Sequence, residues 1–302
     1  MITCGITVNY LYENLSEGRG LSHLHIGVYP APAEMILAGV GGQGILSIAY
    51  VLDHAALRQN LHVKQADVHG MAQRGGAVQS HSRIADRAIH SDLIPAGAAG
   101  MILGVEPLES LRYTHLLSPE GTVVSTIAPH RSIPDYPAIS ELLTQLEGLP
   151  NVVLIDSDRL ARMAGSPKAH NMVMAGAAVF SLPIEAANAE KASRRLFASK
   201  GDRIVEVNLR AFRLGAAFFE IYRELAAIGV QRERIRRFSA KLGAAGPTPE
   251  SLRIWGDLLC GDGGGEILSS LESQDLEVTP EPAAIEELPH GSLGGGEAER
   301  NM

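Results

Sequence analysis

Between a short apolar run at residues 35–38 and a helix-period stretch at residues 43–59 stands Gly39-Val40-Gly41-Gly42-Gln43-Gly44. A strand that hands over to a helix through four glycines in six residues must turn tightly, with its backbone close to whatever lies beside it. A second strand is predicted near residues 62–67, completing a βαβ unit. Apolar runs at 101–105, 122–127 and 152–155 read as core strands, with helices near 107–115, 138–146 and 158–164 between them. Alternation of this kind predicts an α/β fold: three layers, with a mostly parallel or mixed central sheet flanked by helices, then a helical C-terminal part and a low-complexity tail. Residues 77–84 alternate apolar and polar, which suits an added strand with one solvated face. After Asn171 the pattern is wholly helical. The last long helix, about 203–227, spaces Leu209, Phe212, Ala216, Phe219 and Tyr222 into one apolar stripe, read as core packing.

Composition sets the limits of this frame. Residues 1–34 show neither period and read as a loose N-terminal extension, with Met35 expected as the natural start. The main domain is expected over 35–228 and a helical appendage over 229–260, with a short helix at 249–259. Residues 261–302, rich in Gly, Glu, Ser and Pro, are expected to be a mostly disordered acidic tail. A formal charge of -8 argues against a nucleic-acid binder, and the basic run Arg232 to Arg237 reads as a solvated helix face. Cys4 and Cys260 are the only cysteines, too few for a disulfide framework or a cysteine metal site, which points to a reducing compartment. No basic leader with an apolar core is seen, nor any uncharged apolar run of about 18 residues, so a cytoplasmic protein with no membrane contact is expected.

Two segments carry candidate chemistry. The glycine turn satisfies G-x-G-x-x-G after a strand, and Asp67 ends the second strand where a dinucleotide fold places its ribose-binding acid. Close packing of helix and strand would require the same glycines, and the two readings stay open on this motif alone. The second segment, His69-Gly70-Met71-Ala72-Gln73-Arg74-Gly75-Gly76, leaves the second strand at the carboxyl end of the sheet, where open α/β folds place ligands and interfaces. Arg74 can fork to a carboxylate or phosphate, Gln73 can donate and accept, and Met71 can pack on an aromatic surface. Elsewhere, Asp156 and Asp158 follow a strand end and could form a metal pair, but Asp158 reads more simply as a helix N-terminal cap or first-turn acid, and His54, His62 and His90 lack ligand-like spacing. His69 and His81 flank the loop and are expected to line a pocket. Asn171 either caps its helix or reaches the cleft.

Taken together, Gly41-Gly42-Gln43-Gly44, the segment from His69 to Gly76, Leu93-Ile94-Pro95, Leu103-Gly104-Val105-Glu106-Pro107-Leu108-Glu109, and His170-Asn171-Met172-Val173 followed by Gly176-Ala177 resemble the gamma domain of the 2-oxoacid:ferredoxin oxidoreductases. The form of the loop is most similar to the beta-subunit branch of the indolepyruvate enzymes. The resemblance covers about residues 35–228 and neither terminal region. It implies a subunit, inactive alone, of an enzyme that oxidatively decarboxylates an arylpyruvate on thiamine diphosphate and passes electrons through iron-sulfur clusters to ferredoxin and the acyl group to coenzyme A. Pyruvate, 2-oxoglutarate and branched-chain 2-oxoacids stay open as substrates.

Inventory supports dividing those parts between chains. A four-iron cluster takes four cysteines. Gly261-Asp262-Gly263 could begin a thiamine-diphosphate motif, but the window about 30 residues on lacks the Asn that would share its magnesium. No cofactor is therefore expected on this chain alone; thiamine diphosphate, magnesium and iron-sulfur clusters are expected on a larger alpha subunit, with ferredoxin engaged through the complex. The interface or substrate-pocket candidates are Gly41, Gly42, Gln43, Gly44, His69, Gly70, Met71, Gln73, Arg74, Gly75, Gly76, Glu106 and Asn171, with no catalytic residue and no metal ligand assigned. The competing reading is a free-standing dinucleotide-binding dehydrogenase or sensor that uses the G-x-G-x-x-G turn; a non-catalytic scaffold is a third.

Overall fold

The computed structural model describes residues 32–69, 75–130, 135–243, 249–261 and 263–273. Six strands, β1 (Ala33–Val40), β2 (His62–His69), β3 (Ala77–Ala85), β4 (Ala99–Gly104), β5 (Leu117–Thr126) and β6 (Val152–Ile155), form one sheet in the order β2-β3-β1-β4-β5-β6. Strands β1, β4, β5 and β6 run parallel, while β3 is antiparallel to both β1 and β2. The mixed sheet predicted from sequence is present. The βαβ reading needs correction, because β1 and β2 are not neighbours: β3 returns from β2 as a hairpin and fills the slot beside β1. A short connection favours antiparallel pairing with the strand just completed.

Ten helices surround the sheet: α1 (Ile45–Arg58), α2 (Pro107–Arg112), α3 (Ile139–Glu147), α4 (Ser157–Ala164), α5 (His170–Val179), α6 (Ala186–Phe197), α7 (Asp202–Ala227), α8 (Arg232–Ser239), α9 (Pro249–Cys260) and α10 (Gly264–Ser273). The registers assign them to layers. Ala38 pairs with Gly104 in the sheet, and a Cβ on Gly104 would lie 1.7 Å from Ser110 Oγ, so α2 covers that face, with α3 packed beside it. On the opposite face Ser82, paired with Met35, donates to Asp53 of α1 at 2.7 Å. Helices α5 and α7 share that side, with α4 and α6 against them. Strand β3 lacks the solvated face expected of it: Val78, Ser80, Ser82 and Ile84 are buried towards α1, and on the other face Gln79 and Arg83 are partly exposed while His81 and Ala85 are buried.

The long helix α7 matches its predicted span, and all five stripe residues are buried. Its contact with α5 is backbone on backbone. A Cβ on Gly176 would sit 1.8 Å from Phe212 O, and one on Gly215 would sit 1.8 Å from Val173 O.

Two C-terminal expectations change. The basic run is not a solvated face, because its guanidinium groups bind the exposed carbonyls at helix ends. Arg232 donates to Glu147 O at 2.6 Å and Pro150 O at 2.5 Å beyond α3, and Arg234 to Leu259 O at 2.6 Å and Gly261 O at 2.8 Å beyond α9. Arg236 pairs with Glu147, and Arg237 with Glu272 of α10, each at 2.7 Å. Part of the tail expected from Gly261 is ordered instead, since α10 places Leu268 and Leu271 in the core; residues 274–302 lie outside the described residues.

Candidate functional site

At the carboxyl edge of the parallel strands, the turn after β1 is held by one side chain. Gln43, 8% exposed, accepts from Val40 N through Oε1 at 2.8 Å and donates from Nε2 to Val105 O at 2.9 Å. One amide thus closes the β1 turn and ties it to the exit of β4. The neighbouring turn is bonded to it as well, Gly41 N donating to Gly76 O at 2.9 Å.

The glycines have separate physical reasons. Gly42 and Gly44 take φ of +103° and +80°, values that L side chains adopt rarely. A Cβ on Gly39 would meet Val105 Cγ2 at 2.3 Å, and one on Gly44 would meet Asn171 Nδ2 at 2.6 Å. Close packing therefore accounts for this turn. Asp67, the candidate ribose acid, lies exposed on edge strand β2, with β3 between it and β1. A dinucleotide fold carries that acid on the strand beside the first, so the arrangement behind the dehydrogenase reading is not formed.

Glu106 leaves β4 directly and becomes the N-cap of α2, with Oε2 accepting from Glu109 N at 2.9 Å. Its Oε1 accepts from the Tyr136 hydroxyl and from His130 N at 3.4 Å. The carboxylate is 1% exposed, so three donors replace its water. Beside it Glu109 is also buried; desolvation raises its pKa, partly offset by the Arg112 guanidinium bonded to it at 2.9 Å. A cavity of about 120 Å³ opens here, walled by Val40, Gly75, Gly76, Leu108, Arg112 and Tyr136.

The structure brings Gly41, Gly42, Gln43, Gly44, Gly75, Gly76, Glu106 and Asn171 to this edge. Strand β2 delivers the backbone of His69 to the same end, while Gly70, Met71, Gln73 and Arg74 lie outside the described residues. Asn171 does not cap α5, whose N-cap is Ala169; its Oδ1 accepts from Met172 N at 2.9 Å and its amide lies against Gly44. His81 does not line the cavity. It is buried within β3, where Nδ1 is 3.1 Å from Ile94 N, and desolvation, followed by the Arg83 charge, lowers its pKa. Asp158 lies in the first turn of α4, one of its two expected places, while the cap itself is Asp156, which accepts from Arg159 N at 2.9 Å.

Sequence reasoning missed His130 and Tyr136, and it named His170 within a motif but not as a site candidate, although its Nε2 lies 3.1 Å from Gln43 O. The available signal was position: His130 and Tyr136 follow β5, so they had to emerge at the same edge. A larger cavity of about 680 Å³, bordered by Gly100, Glu120, Asn151 and Tyr222, opens at the amino edge instead. Size alone would favour it, but the interface or pocket candidates among the described residues lie at the carboxyl edge, where open α/β sheets place their ligands. Among the described residues no group of three or more His, Cys, Asp or Glu could hold a metal ion, and no helix is long and apolar enough to cross a membrane.

Comparison with known proteins gives this edge a context. Residues 34–218 match the family described as pyruvate ferredoxin/flavodoxin oxidoreductase. The indolepyruvate oxidoreductase subunit IorB of Archaeoglobus fulgidus is 35% identical over 192 residues, covering 60% of this chain and 92% of that protein. Its counterpart in Methanothermobacter thermautotrophicus is 37% identical over 188 residues, covering 59% of this chain and 93% of that protein. The structure of 2-oxoglutarate:ferredoxin oxidoreductase from Magnetococcus marinus, with 2-oxoglutarate, coenzyme A and succinyl-CoA bound, shares the fold at a TM-score of 0.50 and 20% identity, over 62% of this chain and 30% of that one.

Proposed function

The chain belongs to the pyruvate ferredoxin/flavodoxin oxidoreductase family, and from that premise we propose that it is the small subunit of a cytoplasmic indolepyruvate:ferredoxin oxidoreductase. The observation that carries this reading is the match to two IorB subunits at 35% and 37% identity over 92% and 93% of their lengths. In this reading the complex converts an arylpyruvate, with coenzyme A, to the acyl-CoA and carbon dioxide and sends the electrons to ferredoxin.

The residues of this chain do not fit the cofactors of such a reaction. Two cysteines in the whole sequence cannot supply the four ligands of a four-iron cluster. Asp262, the one candidate for a thiamine-diphosphate motif, lies outside the described residues and has no Asn partner at the required spacing. No chemical step is assigned to a side chain here. The chain's contribution is a rigid carboxyl edge, cross-tied by Gln43 and Glu106, that meets a larger subunit bearing thiamine diphosphate, magnesium and iron-sulfur clusters.

The test is expression of the chain alone and then with its large subunit, each followed by size exclusion, iron and thiamine analysis, and 2-oxoacid-dependent dye reduction. A colourless, inactive chain and a brown, active complex are expected. Cofactor or activity in the isolated chain overturns the division of labour, and a preference of the complex for 2-oxoglutarate over indolepyruvate overturns the substrate.

A further inference from the structure

We propose that Tyr136 and Glu106 are a positioning pair that fixes the wall of the carboxyl-edge cavity presented to the cofactor-bearing partner; the partner half of this proposal rests on the functional reading above. Glu106 stands where three parts of the chain converge. Its own backbone follows Val105, whose carbonyl is held by Gln43. One carboxylate oxygen caps α2, and the other takes the Tyr136 hydroxyl and the His130 N–H. The start of α2 and the residues after β5 are thereby joined through a single buried carboxylate, next in sequence to the Val105 carbonyl that Gln43 ties to the glycine turn. A phenol donating to a carboxylate is a charge-assisted bond, stronger than a neutral one and directional.

The same geometry separates positioning from folding. Removing only the Tyr136 hydroxyl leaves Glu106 with two backbone donors, Glu109 N and His130 N, so its carboxylate is not orphaned. The sheet and α2 keep their contacts. What is lost is the tie on Tyr136, one wall of the cavity. Glu106→Gln tests the pair from the other side. If its amide oxygen still caps α2, its NH2 then faces two donors and cannot accept from either.

The experiment compares the full chain with Tyr136→Phe, Glu106→Gln and the double variant. Backbone hydrogen exchange in the chain alone, thermal midpoint, and affinity for the large subunit are measured on each. Tyr136→Phe is expected to speed exchange at residues 128–130 and 135–138 by about tenfold and to weaken partner binding by about tenfold, with the midpoint within about 2 °C of the wild type. Saturating large subunit is expected to restore kcat and the KM for the 2-oxoacid, as a positioning role requires and a catalytic one forbids. The double variant is expected to bind no worse than Glu106→Gln alone. Unchanged exchange and affinity in Tyr136→Phe overturn the proposal, as does a lowered midpoint with unchanged affinity, the mark of a merely structural bond. Failure of the functional reading is visible separately, because the wild-type chain then binds no large subunit.

Discussion

Asp53 shows what one residue does when its helix is buried on the charged side. It is 5% exposed on α1, with Oδ1 bonded to Ser82 and Oδ2 without a partner. Burial, opposed by the Ser82 bond and assisted by the Asp67 charge, pushes its carboxyl up from 3.8 to about 7. The folded protein therefore holds a proton that the unfolded chain has released, and this contribution to stability is full below 3.8 and lost as the pH rises through about 7. Glu220 on α7, raised from 4.5 to about 7 by burial, acts in the same direction and window. Chemical unfolding between pH 4 and 8 is expected to show stability falling as pH rises. Asp53→Asn is expected to flatten that slope and to stabilise the protein at pH 8 by up to about 4 kcal/mol; an unchanged slope sinks the assignment. The sequence was legible to the extent that chemistry and local pattern coincide. Gly42, Gly44 and Gln43 were marked by the motif, and Glu106 by the family resemblance of the segment from Leu103 to Glu109. Tyr136 and His130 were not, because they sit in a connection with no period, and their shared partner is 24 to 30 residues back in sequence.

At the scale of elements, the α5–α7 contact is the least forgiving. Gly176→Ala drives a methyl into the Phe212 carbonyl, which cannot rotate away, so the helices must separate. A loss of about 1–3 kcal/mol is expected, read as a lower urea midpoint at constant slope. Gly256→Ala is the control. Its Cβ would meet Ile228 Cδ1 at 2.2 Å, the tip of a half-exposed side chain that can swing aside, and a smaller loss is expected. The strands and the long helix were readable because each carries a local signal of its own, an apolar run, an alternation or a helical stripe. The slot taken by β3 was not, because residues 77–84 alternate in the same way whether they pair with one neighbour or two. The role of the basic run was hidden for a related reason: Arg232 and Arg234 bind backbone carbonyls at the ends of α3 and α9, and a carbonyl has no letter in the sequence.

Across the whole molecule one apolar core runs from the sheet through α7 to Leu252, Trp255, Leu259, Leu268 and Leu271 of the last two helices. Trp255, 2% exposed and 5.1 Å from the Phe238 ring, is the only tryptophan, so its fluorescence reports on that far end. If the core is one cooperative unit, denaturant curves followed by tryptophan fluorescence and by far-UV circular dichroism are expected to coincide; an earlier fluorescence transition shows instead that α9 and α10 detach first. The strand order has a further consequence, for synthesis. Strand β1 is the first of the described strands to leave the ribosome, yet both its neighbours, β3 and β4, lie downstream of it. It has no native strand to pair with until Ala85 completes β3, roughly several seconds later at ordinary elongation rates, and its second edge stays open until Gly104 completes β4. Through that interval the newborn chain carries an open hydrophobic strand, and a chaperone that shields it would act in the interval before β3 and β4 emerge to flank it.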